Sequence, residues 1–197
     1  MARPTTKPRL LALDPEREVL QFVRAVHGHW RRVRTLLEPA ASADSGELED
    51  AQLKRTCLYR DLVQVAKYAV RGAGAASAHV SLLLARLEPL LQAPLLPARD
   101  LSTVLASIDP DDEVDPMRVL IAAAVARAEL DVGRSAITSS QLAILGGVTR
   151  RHIGAEIREG RLDAEIAGRR GTAGAALIRP EEARRWLRDR NAGGGDP

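Results

Sequence analysis

Residues 137–190 read ITSSQLAILGGVTRRHIGAEIREGRLDAEIAGRRGTAGAALIRPEEARRWLRDR, and the punctuation of this string decides the fold. Thr138-Ser-Ser-Gln141 fits a capping box, in which the Thr hydroxyl and the Gln side chain satisfy two backbone donors of a helix start reciprocally. A short helix follows, with Leu142, Ala143 and Leu145 as its buried residues. Gly146-Gly147-Val148 then makes a tight turn: a glycine supplies positive φ and Val148 plugs the angle between two helices. Thr149 is a second N-cap and opens a helix over 150–159. Ile153 and Ile157, four apart, form its inward face, and Arg150, Arg151, His152, Glu156 and Arg158 its outward face. Gly160 stops that helix. A strand over 162–167, a Gly/Arg-rich turn over 168–174 and a returning strand over 175–178 come next. Pro180 starts a closing helix whose Ala183, Trp186 and Leu187 pack inward, leaving Arg184, Arg185, Arg188 and Arg190 as a solvated face.

Upstream, the chain reads as helix throughout. Asp14-Pro15 pairs an N-cap acid with proline at the first helical position, and Val19, Phe22, Val26, Trp30, Val33 and Leu37 recur at steps of three and four. A second helix is expected over 47–70 with Leu58, Leu62, Val65 and Ala69 on one face, stopped by Gly72 and Gly74. Ser77 caps a third, with Val80, Leu83, Leu84, Leu87 and Leu91 inward, and Asp100 a short one through Ile108. Residues 109–115 form an acidic loop, and Asp115-Pro116 opens an alanine-rich helix that reaches Leu130. The plan is therefore mainly α: a basic flexible arm over 1–13, an all-helical interaction or oligomerisation region over 14–132, a small mixed domain over 137–190, and a disordered tail over 191–197.

Composition narrows the class. Hydrophobic residues make up 45% of the 197 and aromatics 3%, so the core must be built from Leu, Val, Ile and Ala, which suits packed helices. Arg86, Glu88, Pro89 and Pro94 break the longest leucine-rich stretch, so no membrane span is expected, and Met1 to Arg9 lacks an apolar signal region. The expected location is the cytoplasm. The net charge of +3 is unevenly spread: residues 1–36 carry eight Lys/Arg against three Asp/Glu, residues 37–136 ten against fifteen, and residues 137–190 eleven against seven. A basic–acidic–basic layout puts positive charge where an arm and a small domain could meet phosphates.

The order helix, tight turn, helix, hairpin, helix meets the physical needs of a duplex reader. The second helix must be short and polar outside to enter a major groove, and the hairpin tip must carry charge and small residues to approach the backbone or minor groove. In these residues the chain resembles the excisionase-like and MerR-like winged helix-turn-helix DNA-binding domains, over 54 of its 197 residues. The resemblance implies a sequence-specific double-stranded DNA-binding protein, a transcription regulator or a mobile-element accessory factor of excisionase type. It implies base or phosphate contacts from Thr149, Arg150, Arg151, His152 and Glu156, a backbone contact from Arg158 near the helix end, and wing contacts from Arg169 and Arg170. Homodimerisation, or a protein partner, would fall to the helical region. The alternative from a different class is an adaptor or structural component of a larger assembly, with the winged domain used for protein docking.

Other chemistry finds little support in the sequence. His27 and His29 lie two apart on a helix and point in different directions, unlike an i, i+4 metal pair. The acidic run 109–115 lacks the Gly and Glu of a calcium loop, having Val114 and Leu120 at those places. The single Cys57 excludes an internal disulfide. No phosphate-cradling glycine loop, nucleophile triad or carboxylate pair stands out, so neither enzyme activity, nor a cofactor, nor a small-molecule ligand is expected.

Overall fold

The computed structural model describes residues 10–37, 48–72, 79–86, 116–133, 135–167 and 175–193. These are mainly helical, with one small antiparallel sheet. In chain order they form a 3-10 turn at Leu10–Ala12, α1 (Pro15–Leu37), α2 (Asp50–Leu53), α3 (Cys57–Arg71), α4 (helical over 79–86) and α5 (Pro116–Val132). There follow β1 (Ile137–Thr138), α6 (Ser139–Gly146), α7 (Arg150–Arg158), β2 (Glu165–Ala167), β3 (Ala175–Ile178) and α8 (Pro180–Gly193).

Local chemistry sets the helix starts. Asp14 Oδ1 accepts from the amides of Glu16 (3.1 Å) and Arg17 (3.4 Å), so α1 begins where an acid and a proline stand together. Val19, Phe22 and Val26 are buried as the spacing predicts, while the side chains of Trp30, Val33 and Leu37 lie outside the described residues. The expected continuous helix over 47–70 is two helices. Thr56 interrupts it: its hydroxyl donates to the Leu53 carbonyl (2.7 Å) and accepts from the Tyr59 amide (3.2 Å), closing α2 and capping α3. A threonine hydroxyl that serves one helix end and the next start competes well with continuing the ladder. Val80, Leu83 and Leu84 of α4 are buried as expected; Leu87, Leu91, the 100–108 helix and the acidic run lie outside the described residues.

The alanine-rich α5 has no polar face. Met117, Leu120, Ile121, Ala122, Ala123, Ala124, Ala126, Ala128 and Leu130 are all buried, the pattern of a helix packed on most of its sides, and Glu129, Asp131 and Val132 of its last turn are exposed. It packs against α1, α3, α6, α8, β1 and the 3-10 turn. Side chains reinforce both flanks. From α3 the buried Tyr68 hydroxyl donates to Asp131 Oδ2, and Arg127 Nε of α5 donates back to the Ala69 carbonyl (3.3 Å). From α8 Arg184 donates to the Leu130 carbonyl, and from α6 Gln141 Nε2 donates to Glu129 (2.8 Å).

The boundary expected near Gly133 is thus a turn within one continuous hydrophobic core, which runs from Leu10 to Trp186. Two edges of the sequence plan also shift. Leu10 (2% exposed) and Leu13 (9%), assigned to a flexible arm, are core residues, and residues 191–193, assigned to the tail, belong to α8. The arm's residues 1–9 and the tail's 194–197 lie outside the described residues.

The sheet has strand order β1-β3-β2, with Ile137 opposite Ile178 and Glu165 opposite Leu177. The hairpin strands form over 165–167 and 175–178; the start at 165 is three residues later than the 162 expected, because Leu162 is used as a core plug (1% exposed). The third strand, β1, is an addition to the sequence plan. Its two β-branched residues lie beside β3 and lead directly into α6.

Candidate nucleic-acid interface

The two helices after β1 are tightly specified. Thr138 Oγ1 accepts from the Gln141 amide (3.2 Å) and Gln141 Oε1 accepts from the Thr138 amide (2.8 Å), the reciprocal box read from the sequence. Gly147 caps α6 at φ +61°, in the left-handed region. Gly146, one residue earlier, lies flat against the Trp186 ring: a Cβ there would meet Cζ3 at 2.6 Å. Val148 is half-buried against the core, and Thr149 Oγ1 accepts from the His152 amide (3.1 Å) to start α7.

α7 turns Ile153 inward (0% exposed), and Ile157 is half-buried against the core. Arg150, Arg151 and Arg158 are exposed, and His152 is part-exposed. Arg158 Nε donates to the Gly154 carbonyl (3.1 Å), which lies along its own helix. Arg150 and Arg151 have no ion-pair or hydrogen-bond partner for their guanidinium groups among the described residues. Both occupy the first turn of α7, where the helix dipole is positive and a cation is disfavoured by roughly 0.3–1 kcal/mol. The other exposed arginines without such a partner among the described residues, Arg55, Arg71 and Arg188, do not stand in a helix's first turn.

Glu156 corrects the sequence reading. Placed there on the outward face, it is buried (8% exposed) and turned toward α8. Its carboxylate accepts from Arg161 Nη2 (2.7 Å) and Nε (3.1 Å) and from Trp186 Nε1 (3.4 Å), with His152 Nε2 at 3.7 Å. The Arg161 guanidinium holds its pKa down to about 2 against the opposing effect of burial, with Trp186 adding to the depression. Arg161, paired in turn with Glu159, is pushed above its ordinary value by both carboxylates.

Of the closing-helix arginines, expected as a solvated face, Arg185, Arg188 and Arg190 are exposed and Arg184 is half-buried, but three of the four are also engaged within the chain. Arg184 grips α5; Arg185 pairs with Glu182; Arg190 Nε donates to the Gly146 carbonyl (3.0 Å) while its guanidinium lies over Trp186 at 5.6 Å. Arg188 alone of the four is exposed with no such partner among the described residues. Arg150, Arg151 and Arg158 are therefore exposed on α7 after its Thr149 cap; His152 lies beside Glu156 and the Trp186 ring (centroids 6.3 Å apart), Glu156 does not join the exposed group, and Arg169 and Arg170 lie outside the described residues.

Sequence reasoning missed Arg161, Arg184 and Arg190 as internal struts. No periodic signal marks them, since each reaches a partner across an element boundary. Elsewhere, an open groove between α4 and α5 is lined by Leu84, Val125, Ala128 and Val132, with Glu129 at its edge already engaged by Gln141. No cluster of metal-ligating side chains occurs among the described residues, and no described helix is long and apolar enough to cross a membrane. Compared with protein-family models, curated proteins and solved structures, the chain gives no match.

Proposed function

We propose that this chain binds double-stranded DNA, with α6, the Gly147 turn and α7 as a helix-turn-helix, β2–β3 as its wing and α7 as the helix presented to the major groove. One observation carries the reading. Arg150 and Arg151 stand unpaired at the positive end of α7, a placement that costs the free protein stability and is offset when a polyanion supplies the missing charge. Among the other described arginines of the same half, Arg158, Arg161, Arg179, Arg184, Arg185 and Arg190 all have intramolecular acceptors, and Arg188 does not stand in a helix's first turn. The N-terminal turn of such a helix is also where base-reading side chains stand in helix-turn-helix proteins. A transcription regulator and a recombination accessory factor share this chemistry. Docking on a protein is the second reading, and it draws on the exposed apolar side chains Leu82 (60%) and Val132 (52%). It ranks lower because isolated exposed hydrophobics are ordinary on protein surfaces.

The test uses the full chain. Duplexes selected from a random pool are titrated with wild type and with the Arg150→Ala/Arg151→Ala double variant across a salt series. Wild-type affinity should fall steeply with salt. The double variant should bind more weakly, with a salt slope smaller by about one unit for each phosphate that it no longer neutralises. The same variant should melt at a higher temperature than wild type, because it removes two cations from an unfavourable end of the helix. Weaker binding by a more stable protein separates a contact role from a folding defect. Salt-insensitive binding, or equal binding by the double variant, would reject the proposal.

A further inference from the structure

The buried carboxylate on α7 has work of its own, which rests on the DNA reading above. Glu156 joins three elements at one residue. Its side chain receives Arg161, which precedes β2, and Trp186 of α8. Its main-chain carbonyl accepts from the amides of Arg161 (3.0 Å) and Leu162 (3.3 Å), so backbone and side chain hold the same turn. Trp186 is in turn pressed against Gly146 at the end of α6 and covered by Arg190, whose Nε is fixed on the Gly146 carbonyl. Beside the apolar packing of Ile153 and Ile157, Glu156 thus ties α7 directly to α8 and the lead-in to β2 and, through Trp186, to the end of α6, fixing its rotation. Arg151 lies five residues from Glu156, about 140° around the helix, so turning the inner side moves the outer one.

We infer that Glu156 is a positioning residue: it touches no DNA, but its contacts with Arg161 and Trp186 aim the outward arginines of α7, and so set discrimination between duplex sequences more than overall affinity. Phosphate attraction tolerates a small rotation of α7, whereas a hydrogen bond to a base edge does not.

The experiment measures, for the full chain well below each variant's melting temperature, the ratio of affinity for the selected duplex to that for a scrambled duplex of equal length. Glu156→Gln and Arg161→Gln should each lower this ratio about tenfold or more, the size expected when one base-edge interaction is broken. Affinity for the scrambled duplex should change less than about twofold, since the phosphate attraction that carries it is kept. Combining the two substitutions should cost little beyond either alone, because both cut the same link. Amide exchange in the free protein supplies a readout without DNA: Arg161 and Leu162 should exchange faster in Glu156→Gln while the amides of α3 do not. A folded Glu156→Gln variant that keeps the wild-type ratio, or shows unchanged exchange at Arg161 and Leu162, overturns the inference alone. Failure of the wild-type chain to bind any duplex removes the DNA reading and this inference together.

Discussion

An alanine at Gly146 would place its Cβ 2.6 Å from Cζ3 and 2.8 Å from Cη2 of Trp186. Ring carbons cannot yield as a flexible chain end can. Here the ring is also held, by its Nε1 hydrogen bond to Glu156 at 3.4 Å and by Arg190 over its face at 5.6 Å. Two effects compete. Alanine is favoured over glycine within a helix by about 0.5–1 kcal/mol, at the low end for the last residue of α6. Forcing an extra methyl into a filled core costs about 1–3 kcal/mol. Overpacking wins, and Gly146→Ala should lose about 1–2 kcal/mol, or roughly 2–8 °C in melting temperature for a chain of this size. Gly154 supplies the control. It is inside α7, and a Cβ built there meets nothing within 4 Å. Gly154→Ala should therefore gain about 0.5–1 kcal/mol from propensity alone. Urea titration of both variants, with the slope m unchanged, measures the two values directly. The same substitution with opposite sign eight residues apart is the expected result. A Gly146→Ala protein as stable as wild type would refute the packing assigned to Trp186.

Three further outcomes follow from the fold. A fragment over 134–197 loses α5, against which α6, β1 and α8 pack, and should show no cooperative thermal transition; circular dichroism on heating decides this. Thr149→Ala removes the hydroxyl that accepts from the His152 amide and should cost about 1 kcal/mol in denaturant titration, with Thr149→Ser restoring most of it. The Glu156 carboxyl is lowered from 4.5 to about 2, so its stabilising contribution is complete above pH 4.5 and disappears as pH falls toward 2. The stability gap between wild type and Glu156→Gln should accordingly be wide at about pH 6 and narrower at about pH 3, measured by denaturant titration.

Much of this architecture is legible in the sequence wherever a short-range device sets it. The Asp14-Pro15 start, the Thr138/Gln141 box, the Thr149 cap and the Gly147 turn each depend on side chains within a few residues, and each appears where the spacing places it. What the pattern could not give were features fixed by distant partners. Periodicity puts Glu156 one position from Ile157 and lets it face out; Arg161 and Trp186 draw it in, through hydrogen bonds that no spacing rule encodes. The α2–α3 break escaped for the opposite reason, since Thr56 sits in an otherwise acceptable helix and acts as both stop and start. Ala-rich 116–132 carries so little polarity contrast that its sequence says "buried" without saying against what. The candidate site was thus half legible: the exposed arginines of α7 were, the Glu156–Arg161–Trp186 contacts behind them were not.

The seventeen-residue helix α5 has a consequence for modularity. It packs against α6, α8 and β1 of the C-terminal half and against α1 and α3 of the N-terminal half at once, with Ala122, Ala123, Ala124 and Ala126 buried between them. A recombination joint at Gly133 would give one product a helix with a bare flank and the other a set of helices with no floor. Neither half can therefore be cut away at this turn without baring apolar surface on the other, and the chain is inherited, expressed and exchanged as one unit with α5 inside it.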